Sequence, residues 1–277
     1  MTATIGKKEI LAKLHRLPSL PVIVQEVIAS FNDVDLDTTA LTRKIAQDQG
    51  LSAKMLRVAN STFYGLPRKV GSVQDAVMVL GFDTVRSLVL SAGMVQIFPP
   101  SGSLFDRQAY WQRCFRVAAL SKALAKELRQ AQQLAFTAGM FHDIGQLVLD
   151  LCIPQQFSEL LQRQQTSGSG LAELERSELG FDHADVGAEL IHLWNFPLEI
   201  EQVARYWQQP ELQTNYDPLV CIVRTAALLE SGLSGDELMA TLSQTWCGRM
   251  QMTWERIEAC LPSPDQLEAS ASLTQNN

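Results

Sequence analysis

The sequence predicts an all-α fold, and three observations carry that prediction. Apolar residues recur at three- and four-residue spacing along most of the 277-residue chain. Residues that cap or break helices stand at the ends of those stretches. No series of alternating apolar and polar residues marks a sheet, and no repeat with a period of about 20 to 50 residues is evident.

The elements follow in chain order. Leu17-Pro18-Ser19-Leu20-Pro21 precedes VIVQEVIASF, and Pro21 suits the first turn of a helix because its fixed φ is already helical. Asp37 is a candidate N-cap for a helix carrying Leu41 and Ile45 on one face, with Gly50 as its expected left-handed terminator. Leu51, Met55 and Val58 then repeat at helical spacing, so a new helix restarts at once. Ser72 with Asp75 three residues on resembles a capping box before the stripe Val73, Val77, Leu80, which stops at Gly81. Beyond Phe98-Pro99-Pro100-Ser101-Gly102-Ser103 a long helix is predicted from Tyr110 to about Leu128. Another runs through Leu134, Ala138 and Phe141 toward Gly145. A third follows Asp182, carries Val186, Leu190 and Leu193, and ends at Asn195-Phe196-Pro197. Pro218 opens LVCIVRTAALLE. The small, polar segment after Asp265 is expected to fray.

Charge divides the chain at the same place as the pattern. Lys and Arg number 23 against 30 Asp and Glu, a net charge of −7. Residues 1–100 hold 11 basic and 8 acidic groups, whereas the remainder holds 12 and 22. A front region, residues 1–100, and a back region, residues 104–277, are therefore expected to present different surfaces. With 46 % hydrophobic residues a sizeable core is available, and wholesale disorder is excluded.

No stretch approaches the ~20 continuous apolar residues of a membrane helix; Leu88 to Phe98 is short and broken by Ser91, Gly93 and Gln96. The start, MTATIGKKEI, shows no apolar signal core. Five widely spaced cysteines (Cys114, Cys152, Cys221, Cys247, Cys260) with no CxxC pair suit free thiols in a reducing, cytoplasmic setting.

His142-Asp143, in GMFHDIGQLVL, is the dyad that stands out. An imidazole and a carboxylate are good ligands for a hard or borderline metal ion, but neighbours on a helix point about 100° apart and cannot close a site alone. Further ligands would have to come from other helices. Of the other histidines, His15 reads as a surface residue. His183 opens a helix and could face His142 across a bundle, and His192 points to roughly the opposite face. A hydrogen-bonded structural histidine is the plainer reading of His183 and His192.

In the front, Lys44, Lys54, Arg57, Arg68, Lys69 and Arg86 lie among short helices and tight turns. That could neutralise phosphates, but a net +3 over 100 residues is thin, and a solvated surface is the plainer reading. Nucleic acid is therefore not an expected partner. GxGxxG, Walker, HExxH and GxSxG motifs are absent, and Gly168-Ser169-Gly170 reads as a turn. Trp111, Trp194, Trp207, Trp246 and Trp254 read as anchors of the core or an interface.

LPSLP, IAQDQGLSAKMLRVANSTFYG and SVQDAVMVLGFDTVRSL together resemble the front of the HDOD family. AFTAGMFHDIGQLVL and GFDHADVGAELIHLWNFP resemble its back half, which is related to the HD-type metal-dependent phosphohydrolases. The resemblance runs from about Leu17 to Glu211, and it implies a front helical subdomain packed on an HD-like helical bundle. In the catalytic relatives a His on an early helix, the His-Asp dyad and a later Asp share one metal. Aligning QRCFRVAALSKALA with the early helix puts Arg113 near the first His position, or Gln112 if the register slips. Ala226 and Ala227 occupy the stretch of the later Asp. Tyr206-Trp207-Gln208-Gln209 stands where cyclic-dinucleotide phosphodiesterases carry a His pair, and no Gly-Tyr-Pro follows.

His142, Asp143 and His183 are thus read as vestiges of a metal site, with no catalytic residues and no metal expected; a divalent metal there is the alternative. Asp143 is expected to pair with a basic or polar neighbour in place of the metal, with Arg113 the natural candidate, since a carboxylate and a guanidinium can bond bidentately. The resemblance implies a non-catalytic role in bacterial signal transduction, through signalling proteins in trans or a bound ligand, with a homo-oligomer also open. The alternatives are an HD-type phosphohydrolase with a reduced ligand set and a nucleic-acid-binding regulator. Asp48, Asn60, Ser61 and Tyr64 match the family's front motif and, with Arg113, are candidate ligand or partner residues; capping and packing is the competing reading for the front four.

Overall fold

A computed structural model of the chain describes residues 6–14, 20–31, 33, 35–61, 64–98 and 102–271. His15, Leu17-Pro18-Ser19, Thr62-Phe63 and Pro99-Pro100-Ser101 lie outside them. Among the described residues the architecture is helical throughout, with no strand.

The front comprises α1 (Lys7–Leu14), α2 (Val22–Ala29), α3 (Thr38–Gln47), α4 (Gln49–Ala59), α5 (Val73–Leu80) and α6 (Phe82–Ile97). Capping explains their borders. The Asp37 side chain accepts from the Thr39 and Ala40 amides at the start of α3. Asp48 accepts from Leu51 N at 2.9 Å, which ends α3 and starts α4 one residue later. Gly50 therefore lies in the first turn of α4 and does not end α3, correcting the expectation: an aspartate two residues earlier already supplies the cap. Ser72 Oγ receives the Asp75 amide, and Gly81, at φ +83°, makes the elbow between α5 and α6 that a side chain would strain. Asn60 brackets the loop after α4, donating to Val70 O at 2.9 Å and accepting from Val70 N at 2.8 Å.

The back is built around α7 (Arg107–Glu127), which packs along α8 (Gln132–Phe141) and α14 (Pro218–Glu230). Between α8 and α14 come α9 (Gly145–Cys152), α10 (Pro154–Ser167), α11 (Leu171–Leu179), α12 (His183–Leu193) and α13 (Leu198–Tyr206). After α14 follow α15 (Gly235–Ser243), α16 (Trp254–Cys260) and α17 (Pro264–Ala271), with 3-10 turns at Pro210–Leu212 and Trp246–Met250. Phe115, Phe136, Phe141 and Phe157 are fully buried; at roughly 1.5–3 kcal/mol each they are among the largest contributors to the core.

Two borders differ from the sequence reading. The segment after Asp265 does not fray at once: α17 packs on α7 and buries Ser270. Helix α1, in residues 1–100 by sequence, packs in space on α9 and α12 of the back. Ile10 and Leu14 are buried there, Lys7 pairs with Asp185 at 3.1 Å, and Lys13 donates to Cys152 O at 2.7 Å. Front and back share one continuous core. A polar seam between α6 and α8, Ser87 with Thr137 at 3.0 Å and Gln133 to Thr84 at 2.9 Å, fixes their register. No helix among the described residues is long and apolar enough to cross a membrane.

Candidate functional site

His142 and Asp143 sit in the turn between α8 and α9, not at the end of a continuing helix. Gly145 is the reason that turn can reach α12. A Cβ there would run into the carbonyl of His183 and come within 2.9 Å of the Gly187 amide. Two glycines thus let α9 and α12 touch backbone to backbone, and this brings Asp143 beside His183 at the first turn of α12.

The result is a buried row of alternating charge. Arg113, from α7, forms an ion pair with Asp143 Oδ2, which also accepts from Gln146 Nε2 at 2.6 Å. Asp143 Oδ1 lies 3.0 Å from His183 Nε2, a close ionic contact without hydrogen-bond alignment. On its other side His183 Nδ1 lies 2.6 Å from Glu175 Oε2 of α11, which also receives the His183 amide at 2.8 Å. Asp143 and Glu175 side chains are fully buried, His183 is 2 % exposed, and the Arg113 side chain is 34 % exposed toward a cleft.

Burial penalises the charges of His183, Asp143 and Arg113, yet each is held by its neighbours. Burial would lower the pKa of His183, but the carboxylates of Glu175 and Asp143 raise it well above the ordinary value, so it is an imidazolium. Burial would raise that of Asp143, but Arg113 and His183 hold it well below the usual carboxylate range. Asp143 in turn raises that of Arg113 against burial. The carboxamide of Gln208 lies 2.6 Å from His183 Nε2; because an imidazolium donates there, the amide oxygen is the end that receives it.

His142 has a different role. Its Nδ1–H donates to Gly139 O at 2.7 Å, its ring meets Trp207 edge-on at 4.7 Å, and Nε2 has no hydrogen-bond partner among the described residues. Burial pushes its pKa down from 6.5 to about 4, so it is neutral in the folded chain. Below pH 6.5 the unfolded chain takes up a proton that folded His142 refuses, so stability falls from there to about pH 4. The loss expected for this buried group is about 3 kcal/mol. Urea titrations at pH 7, 5 and 4 check it; His142→Asn, which cannot titrate, should flatten the profile across that window.

The HD-type relatives hold a divalent metal in this region, and the residues present here do not fit one. A guanidinium lies against Asp143, His183 is engaged through both nitrogens by Glu175 and Gln208, and Thr225, Ala226 and Ala227 offer no later carboxylate. Among the described residues no group of three or more His, Cys, Asp or Glu side chains is placed to hold a metal ion.

Around this row opens a cleft of about 780 Å³, bordered by α7, α11, α14 and the Trp207-Gln208-Gln209 turn after α13. Arg113, His142, Asp143 and His183 line it, so four of the sequence candidates converge. His192 does not; it is exposed and bonds Glu201 at 3.0 Å. Asp48, Asn60, Ser61 and Tyr64 also lie elsewhere: Asp48 caps α4, Asn60 ties Val70, Ser61 continues the α4 terminus, and Tyr64 packs under the Lys122 ammonium of α7 at 5.3 Å. The front cations are partly spent as well, Lys44 on Glu26 at 2.8 Å and Arg86 on Asp83 and the Phe31 ring.

The sequence reading missed Glu175, Gln146 and Arg224, named Gln208 only in the stretch standing where relatives carry a His pair, and took Trp207 as an anchor of the core or an interface although it lines the cleft. Glu175, between Leu174 and Arg176, had one available signal: it stands eight residues before His183, across a Gly180 turn that folds α11 back on α12.

The solved structure of a Shewanella amazonensis SB2B protein, provisionally named a phosphohydrolase, is 27 % identical and superposes with a TM-score of 0.81, covering 96 % of this chain and 98 % of that one. An HDOD domain protein of unknown function from Geobacter sulfurreducens is 21 % identical with a TM-score of 0.78, covering 96 % of each chain. A protein of Treponema pallidum (strain Nichols), named only as uncharacterized, is 23 % identical over 229 residues; they make up 81 % of this chain and 44 % of that protein, so this chain spans less than half its length. Residues 17–210 match the HDOD domain family, and the chain belongs to it.

Proposed function

We propose that this chain is a non-catalytic signal-transduction module, whose HD-like cleft serves recognition in place of hydrolysis and which acts through partner proteins in trans. The observation that carries this reading is the Arg113 guanidinium against Asp143, a permanent cation at the carboxylate a catalytic metal would need. The arrangement compensates its own charge: Arg113, Asp143, His183 and Glu175 alternate in sign, each facing an opposite charge. A hydrolytic centre requires an open metal position and an activated water, and a row of paired side chains provides neither. The phosphohydrolase name borne by the Shewanella neighbour belongs to that protein.

The purified chain, incubated with Mn²⁺, Ni²⁺ or Fe²⁺ and phosphomonoester and phosphodiester substrates, is expected to show no turnover and to retain well under one metal ion per chain by elemental analysis. Metal-dependent hydrolysis abolished by Asp143→Asn would overturn the reading.

A further inference from the structure

The structure assigns a second, smaller site: the pocket between α13 and the start of α14 takes the primary ammonium group of a small aliphatic amine, held by Asp217 and Gln213 against the ring of Tyr206. It shares no lining residue with the cleft, so it stands whether or not the cleft is catalytic. Two proline-started turns build it. Pro210 opens the 3-10 turn Pro210–Leu212, which Gln213 closes by donating its backbone amide to Pro210 O at 3.2 Å. Pro218 opens α14, and Asp217 caps that helix by accepting from Leu219 N at 2.8 Å. Residues 213–217, with Gln202 and Tyr206 from one face of α13, border about 330 Å³, at the small end of ligand sites.

Two groups in this pocket lack the partner that their burial calls for. Gln213 is 8 % exposed, yet its Oε1 is buried with no hydrogen-bond partner among the described residues. Such a carbonyl is a standing demand for a donor. Asp217 is half-buried and makes no ion pair among the described residues. Burial, and less strongly the charge of Glu199, push its pKa up against the pull of the Leu219 and Val220 amides, and no cation is among the groups acting on it. Glu199, Gln202 and Tyr206 stand three and four residues apart on α13, so an exposed second carboxylate shares the face that borders the pocket. None of the lining side chains is basic; Arg249 approaches the Tyr216 ring at 5.9 Å but does not line the pocket.

A small space that calls for both positive charge and an N–H donor fits a narrow class of ions. A primary ammonium carries one charge and three donors, for Asp217, for Gln213 Oε1 and for a phenol or the Gln202 carboxamide, and a tyrosine ring attracts a cation over its face. A quaternary ammonium would bring the charge without the donor. A divalent metal would call for more carboxylates than the pocket offers, and among the described residues no group of three His, Cys, Asp or Glu side chains is placed to hold one.

The test is NMR titration of the full chain with butylammonium chloride, alongside tetramethylammonium (charge without N–H), potassium (charge without a carbon chain) and acetate (the opposite charge). Butylammonium is expected to bind with millimolar affinity or better, about ten-fold or more tighter than tetramethylammonium or potassium. It should shift the Gln213 side-chain amide and Tyr206 ring resonances and leave the His183 ring unmoved. Asp217→Asn, which keeps a good N-cap residue, should weaken binding about ten-fold or more with α14 intact. Gln213→Met removes the orphaned oxygen, so it should weaken binding about three-fold or more while the melting temperature holds or rises. Should Asp217→Asn fold poorly, the loss of affinity in Gln213→Met decides. No binding of butylammonium, equal binding of tetramethylammonium or potassium, tighter binding of acetate, or affinity indifferent to these substitutions would each overturn the inference. So would shifts confined to residues of the cleft.

Discussion

Replacing Asp143 with alanine is expected to destabilise the protein by about 3–5 kcal/mol, read as a drop in the urea midpoint at an unchanged slope. The carboxylate stands between two cations, so removing it strands Arg113 and deprives His183 of one of its two anions. His183 still has Glu175 beside it, which opposes the cheap escape of giving up its proton. The penalty is therefore for unpaired buried charge, and a second substitution distinguishes this from a cavity. Arg113→Met combined with Asp143→Ala should cost less than the two single changes summed, because the guanidinium no longer lacks its partner. A loss below about 1 kcal/mol in Asp143→Ala would show that the row is not what holds α7, α9 and α12 together.

Gly145→Ala is expected to cost about 3 kcal/mol or more, at the upper end of overpacking effects. The added methyl meets a carbonyl and an amide, which cannot rotate away as a side chain would. Helix α9 would have to withdraw from α12, and Asp143, two residues before the glycine, would withdraw with it. The effect should thus appear twice, as lost stability and as a change in the titration of His183 followed by NMR. Gly71→Ala, where a Cβ meets nothing within 4 Å and the backbone is ordinary, is the control and should stay within about 0.5 kcal/mol of the parent. Equal stability of the two variants would refute the close-contact account.

Much of the helical order was legible because its borders are local chemistry. Asp37, Ser72, Asp182 and Asp217 each cap a helix with their own side chain, and a polar residue before an apolar stripe is visible without any tertiary knowledge. Gly50 misled because left-handed termination and membership of the next helix leave the same trace in sequence. The tail misled because small polar residues look unattached until α7 supplies a surface for Ser270 and its neighbours.

At the site, the Arg113–Asp143 pair was legible because the resemblance supplies the register that brings α7 to the dyad. Glu175 and Arg224 were not, since a charged residue on a helix reads as solvated unless the opposing helices are known. The cleft's carboxamides are illegible for a related reason. Glutamine has no pattern of its own, and Gln164, Gln165 and Gln209 converge only because α10, α11 and the turn after α13 close on one another.

Helix α7 spans 21 residues, about 32 Å of continuous rod. Arg113 faces the cleft near one end, Lys122 lies over Tyr64 of the front nine residues further on, and Glu127 at the far end bonds Arg256 of α16. Nine residues of helix are roughly 13 Å, so a tilt of about 5° pivoting at Arg113 carries Lys122 through about 1 Å. A stiff rod anchored at the cleft is in mechanical terms a pointer, and the Tyr64 ring is the scale on which its movement would be read.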